Sequence, residues 1–234
     1  MTHQSPAQER SPSARERLAD FTRRIERLCA DDPGARTALR TGLRRGLDDV
    51  PRMHRFVVPE LPRGGRVPVA QQRAYYAVAS MIAAQPRHAF AAADAEPHTD
   101  ARETSGAADA SPEPTPEQKY GSSLGHAFAT AVAASSARDR AMRESAAESR
   151  LNLLTRQSTN GLHRHLPAAV RYLSDVGVDV DWPRLLGDLI AWPTDAKRIA
   201  RRWLQDYYIH RTESAGENPG GADEDETARR LVVG

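Results

Sequence analysis

Residues 178–208 read VDVDWPRLLGDLIAWPTDAKRIARRWLQDYY, and the apolar rhythm of this stretch decides the fold class. Asp181 can cap a helix, and Pro183 fits the first turn, where a missing amide costs nothing. Leu185, Leu186, Leu189 and Ile190 then recur at helical spacing. Thr194 can cap a following helix in which Ile199, Ala200, Trp203, Leu204 and Tyr207 share one face. Arg198, Arg201, Arg202 and Gln205 fall on the opposite face. One helix thus offers an aromatic-apolar side for a core and an arginine side for solvent or for an anionic partner. Trp182, Trp192 and Trp203 sit beside leucines and isoleucine, which predicts core packing rather than stacking on bases.

The same periodicity extends outward. Ser13 to Glu16 is a capping-box pattern that opens a helix running to about Ala30. Cys29 shares a face there with Leu18, Phe21, Ile25 and Leu28, so it is expected in a core. Asp32-Pro33 opens a second helix, with Leu39, Leu43 and Leu47 at four-residue spacing. Pro51 to Phe56 reads as a short helical segment, and 59–68, with three prolines and two glycines, as a loop. Pro68 or Val69 begins a helix to about Gln85 that buries Tyr75, Val78, Ala79 and Ile82. Beyond the loop at 91–117, Ser122 or Ser123 caps a helix bearing Leu124, Phe128 and Val132. Ser136 to Asp139 is a second box-like start, predicting a helix to about Arg156 with Met142, Ala146 and Leu153 on one side. Leu162, Leu166, Ala169, Val170 and Leu173 mark another helix, kinked or restarted by Pro167. No useful strand alternation and no internal repeat interrupts this pattern. The expected fold is all-α, built of packed helical bundles.

Composition bounds the function. Hydrophobic residues are 39% of 234, low for a chain packed throughout. No apolar run is long enough to span a membrane, residues 1–15 lack a signal-peptide core, and the single cysteine permits no internal disulfide. A reducing cytoplasm is the expected compartment. The net charge of +2 conceals segregation. Residues 10–90 hold 16 arginines against 8 acidic residues, and 119–211 hold 14 basic against 9 acidic. By contrast, 91–118 holds 7 acidic residues with only Arg102, and 212–234 holds 6 acidic residues with Arg229 and Arg230. The foldable parts are basic and suit polyanions. The acidic parts, rich in Ala, Pro and Ser, are expected to be disordered.

Catalytic patterns are missing. There is no Gly-rich phosphate loop, nucleophile elbow or paired-cysteine motif. His163 and His165, two apart on a helix, point in nearly opposite directions and read as surface histidines, not as metal ligands. Asp179 and Asp181 read as solvent and cap. The expectation is a non-enzyme without cofactor or metal.

Three stretches carry a resemblance. Asp181-Trp182-Pro183, Trp192 and Trp203 followed by Asp206-Tyr207 resemble the C-terminal signature of the CasB family, the small subunits of the type I-E CRISPR surveillance complex, Cascade. Ser123-Leu124-Gly125-His126-Ala127 matches a Ser-Leu-Gly-basic-Ala pattern of that family. Leu39-Arg40, Arg44-Arg45 and Pro51 to Phe56 resemble its N-terminal helices. The acidic insertion at 91–118 and the terminal extensions depart from compact members. The resemblance implies two helical bundle domains, here 13–134 (with 91–118 as a flexible acidic loop) and 135–212. Residues 1–12 are expected to be disordered and 213–234 to form a flexible tail. It implies a non-catalytic subunit that pairs with a second copy, lies against the backbone and large subunits, and helps hold crRNA-paired target DNA open as an R-loop.

The candidate nucleic-acid contacts in the C-terminal domain are Arg150, Arg156, Arg164, Arg171, Lys197, Arg198, Arg201 and Arg202. Arg150 and Arg156 match basic positions of the family's helix after Ser-Leu-Gly-x-Ala, whereas the Arg198 group rests on the face argument. Arg40, Arg44 and Arg45 are N-terminal candidates. Two other readings stay open. One is a helical scaffold whose arginines meet acidic proteins. The other is a helix-turn-helix regulator, which would need a compact recognition helix, and none is evident.

Overall fold

In the computed structural model, residues 13–62, 66–91, 121–134 and 142–216 are described. The expected disordered stretches, 1–12, nearly all of 91–118 and 217–234, and the Ser136 to Asp139 box lie outside these residues. Among the described residues the fold is all-α, with no strand. By contact the chain divides into two units. The first takes residues up to Gly121 together with Trp182–Ile190, and the second takes Ser122–Asp181 and the chain from Ala191 on. The helix at Ser123, grouped with the N-terminal bundle in the sequence division, is here part of the second unit.

The first unit begins with α1 (Ala14–Asp31). Ser13 accepts the Glu16 amide at 3.2 Å while Glu16 reaches back to the Ser13 amide, a complete capping box. Phe21, Ile25 and Cys29 are buried along one stripe, as the spacing predicts. Helix α2 (Pro33–Arg40) is capped by Asp32, which accepts the amides of Gly34 and Ala35 at 2.7 and 2.9 Å. It stops at Arg40 rather than continuing to Leu47. A turn follows, with Arg44 at φ 64°, and a helix cannot pass through that conformation. Leu43 is therefore only half-buried, and Leu47 starts a short 3-10 turn. Helices α3 (Pro51–Val57) and α4 (Val69–Ala83) complete the bundle, with short α5 (His88–Ala91) against α1. Nine residues of α4 are buried, Tyr75, Val78, Ala79 and Ile82 among them. Arg36 donates to the carbonyls of Ala83 and Gln85 and lies over the Phe90 ring, closing the end of α4.

The second unit holds α6 (Leu124–Ala133), α7 (Glu144–Thr155) and α8 (Thr159–Asp175), packed on one another. Ser123 caps α6 by accepting the His126 amide at 3.3 Å, and Ser158 caps α8 by accepting that of Gly161. Pro167 neither stops nor restarts α8, which runs through it. The buried side of α7 differs from the expected one. Ala147, Leu151 and Leu154 are buried, while Leu153 is 45% exposed. Two adjacent leucines leave the phase of a short helix ambiguous, and the neighbours decide it.

Helix α9 (Trp182–Gly216) is longer than expected at both joints. Thr194 does not restart it. Its hydroxyl donates to the Ala191 carbonyl at 3.1 Å, and the break appears as a kink with Asp195 at φ −121°. Pro193, which supplies no amide to the helical ladder, accounts for the position of the kink. Residues 213–216, assigned to the tail in the sequence division, are helical. In the first unit Leu185, Leu186 and Leu189 are buried, as is Asp188, paired with Arg184 at 3.5 Å. In the second unit Trp192, Ile199, Ala200, Trp203 and Tyr207 are buried. The Trp192 and Trp203 rings lie 5.1 Å apart, and the Trp192 indole donates to the Gln157 carbonyl at 3.3 Å. The tryptophans of this unit are core residues.

Two contacts in the second unit generate predictions. A Cβ at Gly125 would lie 1.8 Å from the Trp203 carbonyl oxygen, which is fixed main chain. Alanine gains about 1 kcal/mol of helix propensity over glycine, but forcing the helices apart costs about 1–3 kcal/mol or more. Gly125→Ala is therefore expected to lower the melting temperature, and an unchanged or raised value would refute the close packing. The second contact is the Tyr207 hydroxyl, buried without a hydrogen-bond partner among the described residues. Burial, then Glu148 and Glu144, push its pKa up to about 12. A raised acid pKa stabilises the fold fully below the unfolded value of 10 and is lost as pH climbs towards 12. Tyr207→Phe should equal the parent in stability or exceed it by about 1 kcal/mol, and lose less stability between pH 10 and 12. Denaturant melts across that range test both; a clear loss in the phenylalanine variant at pH 7 would show that the hydroxyl is satisfied.

Candidate nucleic-acid interface

The exposed side of the second unit carries a groove of about 670 Å³ between the end of α7 and the second half of α9. Its cations are Arg156, Lys197 and Arg201, all exposed. Their arrangement follows from helical geometry. Lys197 and Arg201 stand one turn apart on α9, with Leu204, Gln205 and Tyr208 continuing the same stripe. Arg156 follows the last turn of α7, beside Asn152 and Thr155. Because Ile199, Trp203 and Tyr207 turn into the core, the 197–201–208 stripe turns out. Ala200 and Leu204 form an apolar floor, and Tyr208 and Ile209 stay 48% and 53% exposed. Burial first, then the nearby Glu148 carboxylate, raises the pKa of the Tyr208 phenol.

Two observations make the groove a candidate for an anion. Among the described residues no acidic side chain lines it, Glu148 standing only at its edge beside Tyr208. Nor does any ion pair or hydrogen bond engage the side chains of Arg156, Lys197 or Arg201 among the described residues. An exposed aromatic face beside three unpaired cations offers charge to phosphates and a stacking surface to a base.

The other sequence candidates are placed differently. Arg150 is half-buried, donates to the Ala146 carbonyl at 3.2 Å and stacks over the Tyr172 ring at 4.0 Å. It is thus engaged within the fold and does not line the groove. Arg171 pairs with Asp175 at 3.8 Å, Arg198 pairs with Asp195 at 2.9 Å, and Arg202 is half-buried. Arg164 is exposed on α8, away from the groove lining. Arg40, Arg44 and Arg45 lie exposed at the end of α2 and in its following turn, in the first unit. Of the eleven candidates the structure brings together three. Sequence reasoning did not single out Tyr208, Asn152 and Thr155. Tyr208 carried a usable signal, four residues after Leu204 and seven after Arg201, on the stripe beside the buried one.

Other clusters are less suited to an anion. The first unit has a larger cavity, about 830 Å³, lined by Arg17, Asp20, Arg24, Glu60 and apolar residues. Both signs are present, and Arg24 is paired with Glu60. His163 is buried at 6% exposure, not on the surface as its spacing suggested. His126 and His210 stand edge to face with ring centroids 3.9 Å apart. No group of three or more His, Cys, Asp or Glu residues with metal-holding geometry occurs among the described residues. Nor is any described helix long and apolar enough to cross a membrane.

Comparisons with known proteins agree with this fold. The family described as CRISPR-associated protein Cse2 matches residues 35–208. A chain of a CRISPR RNA-guided surveillance complex is 31% identical with a TM-score of 0.66, covering 88% of this chain and 99% of its own. A chain of such a complex in a pre-nicking state is 33% identical with a TM-score of 0.67 and the same coverage. CasB of M. ruber, at 20% identity and a TM-score of 0.64 over 86% of this chain and 98% of its own, shares the fold. A comparison with curated protein sequences finds no match. With the matched region spanning most of the chain and two relatives above 30% identity, the chain belongs to the Cse2, or CasB, family.

Proposed function

We propose that this chain is a non-catalytic small subunit of a type I-E CRISPR RNA-guided surveillance complex. On this reading it binds single-stranded nucleic acid without sequence preference and stabilises the opened target as an R-loop. It works as one of a pair of copies alongside the backbone and large subunits. The single observation that carries the binding role is the one-signed groove of Arg156, Lys197 and Arg201 beside the exposed Tyr208. Phosphates meet unpaired cations, and an unstacked base has a phenol ring to lie on. A duplex would engage the cations but keep its bases away from the ring. Family membership and the two relatives in surveillance complexes supply the setting. In such complexes base pairing with the guide reads the sequence, so the protein needs only to hold backbone.

The test is a salt series with oligo-dT. Three phosphates neutralised by the three groove cations give a slope of about −2 in log K against log salt, at about −0.7 per contact on single strands. Arg156→Glu combined with Arg201→Glu should weaken binding to every sequence alike and flatten that slope to about −0.7 or shallower. In the assembled complex the same pair should shorten R-loop lifetime more than it affects guide loading. Arg150→Ala should act mainly on stability, at about 0.5–1 kcal/mol for the lost ring contact. Unchanged affinity and R-loop lifetime in the folded Arg156/Arg201 variant would refute the groove and favour a scaffold role with acidic protein partners.

A further inference from the structure

Helix α9 carries two of the three groove cations and leads directly into the most acidic run of the chain. After Gly216 the sequence continues to Asp223-Glu224-Asp225-Glu226, four consecutive carboxylates. We propose that this run docks on the Arg156–Lys197–Arg201 groove of its own chain and competes there with nucleic acid. The proposal rests on the reading of the groove as a nucleic-acid site and adds a regulator to it.

Reach permits it. Arg201 and Lys197 precede Gly216 by 15 and 19 residues on the helix, or about 22 and 28 Å at 1.5 Å per residue. Asp223 and Glu226 follow Gly216 by 7 and 10 residues, which span up to about 24 and 34 Å when extended. The run can thus fold back to both cations, and a tether of this length holds it at about millimolar effective concentration. Spacing matches as well. Alternate side chains of an extended segment lie about 6.7 Å apart on one side, and Lys197 and Arg201 are separated by about 6 Å along their helix. Asp223 with Asp225, or Glu224 with Glu226, can therefore face the two cations together. Charge chooses the occupant, since among the described residues the groove is lined by three unpaired cations and by no carboxylate.

The consequence is selectivity by charge. A docked tail lowers the apparent affinity for any strand by the fraction of time the groove is filled. A short stray oligonucleotide must displace the tail on its own. A strand already held in place beside the groove meets it at high local concentration and displaces it readily.

Zero-length carbodiimide cross-linking of the full chain tests docking without reference to affinity. The sequence has only two lysines, Lys119 and Lys197, so an amide between Lys197 and the 223–226 peptide is unambiguous by mass spectrometry. Mixing isotope-labelled and unlabelled copies separates links within a chain from links between chains. The expected result is an intrachain Lys197 link to the acidic run, suppressed by oligo-dT. No such link, a link between copies, or a link to the acids of 91–118 instead would overturn the proposal. In parallel, the variant Asp223→Asn, Glu224→Gln, Asp225→Asn, Glu226→Gln should bind oligo-dT about fivefold more tightly at 50 mM salt, the gain fading at high salt as screening sets in. An unchanged affinity would overturn it. If that variant gains nothing while Arg156→Glu/Arg201→Glu loses binding, only the tail fails; if the latter binds like the parent, the groove itself fails.

Discussion

The second unit depends on how nearly α6 approaches the main chain of α9. Gly125 leaves no room for even a methyl group against the Trp203 carbonyl. Helices usually pack with their axes 8–10 Å apart, separated by side chains, and the missing Cβ removes that spacer at one point. Ser123, two residues earlier, fixes where α6 starts by capping it. Leu124 and Phe128 are buried beside it. The rotation of α9 is set by the same contact. With Trp203 turned into the core, Ile199 and Tyr207 follow one turn either side, and Trp192 comes to lie against it. The stripe of Lys197, Arg201 and Tyr208 has no choice but to face solvent. A core constraint thus aims the candidate site, and Ser-Leu-Gly has a packing reason independent of any ligand.

Arginine abundance is a poor guide to where nucleic acid would bind. The chain has 33 basic side chains, all arginine except Lys119 and Lys197, and many serve the fold. Arg36 ties the end of α4 through two carbonyls and a ring. Arg150 lies on Tyr172, and Arg184 neutralises the buried Asp188. Such arginines have spent their charge or their planar face locally. What distinguishes the groove is that three cations without partners among the described residues converge on one apolar floor beside an exposed ring. That distinction requires coordinates, because a carbonyl four residues back or an aromatic ring on the next helix is invisible in a list of charges.

The sequence was most legible where several signals coincided. Capping residues at Ser13, Asp32 and Ser123 sit where caps are observed, and long amphipathic stretches such as 14–31 and 199–207 bury the faces their spacing indicates. It was least legible where one helix could be rotated either way. On α7, Leu151, Leu153 and Leu154 admit two phases, and packing on α6 and α8 chose the one that exposes Leu153. At Pro193 and Thr194 the local signals favour a restart, yet α9 crosses the proline with a kink at Asp195. The candidate site was half legible. All three groove cations were candidates, Arg156 through the family resemblance and Lys197 and Arg201 on α9, but their convergence, without Arg198 and Arg202, was not legible. The aromatic member, Tyr208, stands next to the core Tyr207 and was given no role by the spacing of the buried face.

The chemistry of the groove fits a subunit that holds a strand without reading it. Sequence discrimination needs rigid bidentate donors aimed at base edges. Lys197 and Arg201 instead sit exposed on a helix, unbraced by any neighbour among the described residues, and can follow a backbone in many registers. A stacking ring is equally indifferent, since every base has a face. Three unbraced cations make a weak site alone. Weakness is an advantage if guide pairing supplies the specificity, because a subunit that gripped any single strand tightly would be titrated by unrelated nucleic acid before the target opened. On the proposed reading, the groove gains strength only when an assembled complex holds the displaced strand beside it, where local concentration rather than contact energy drives occupancy.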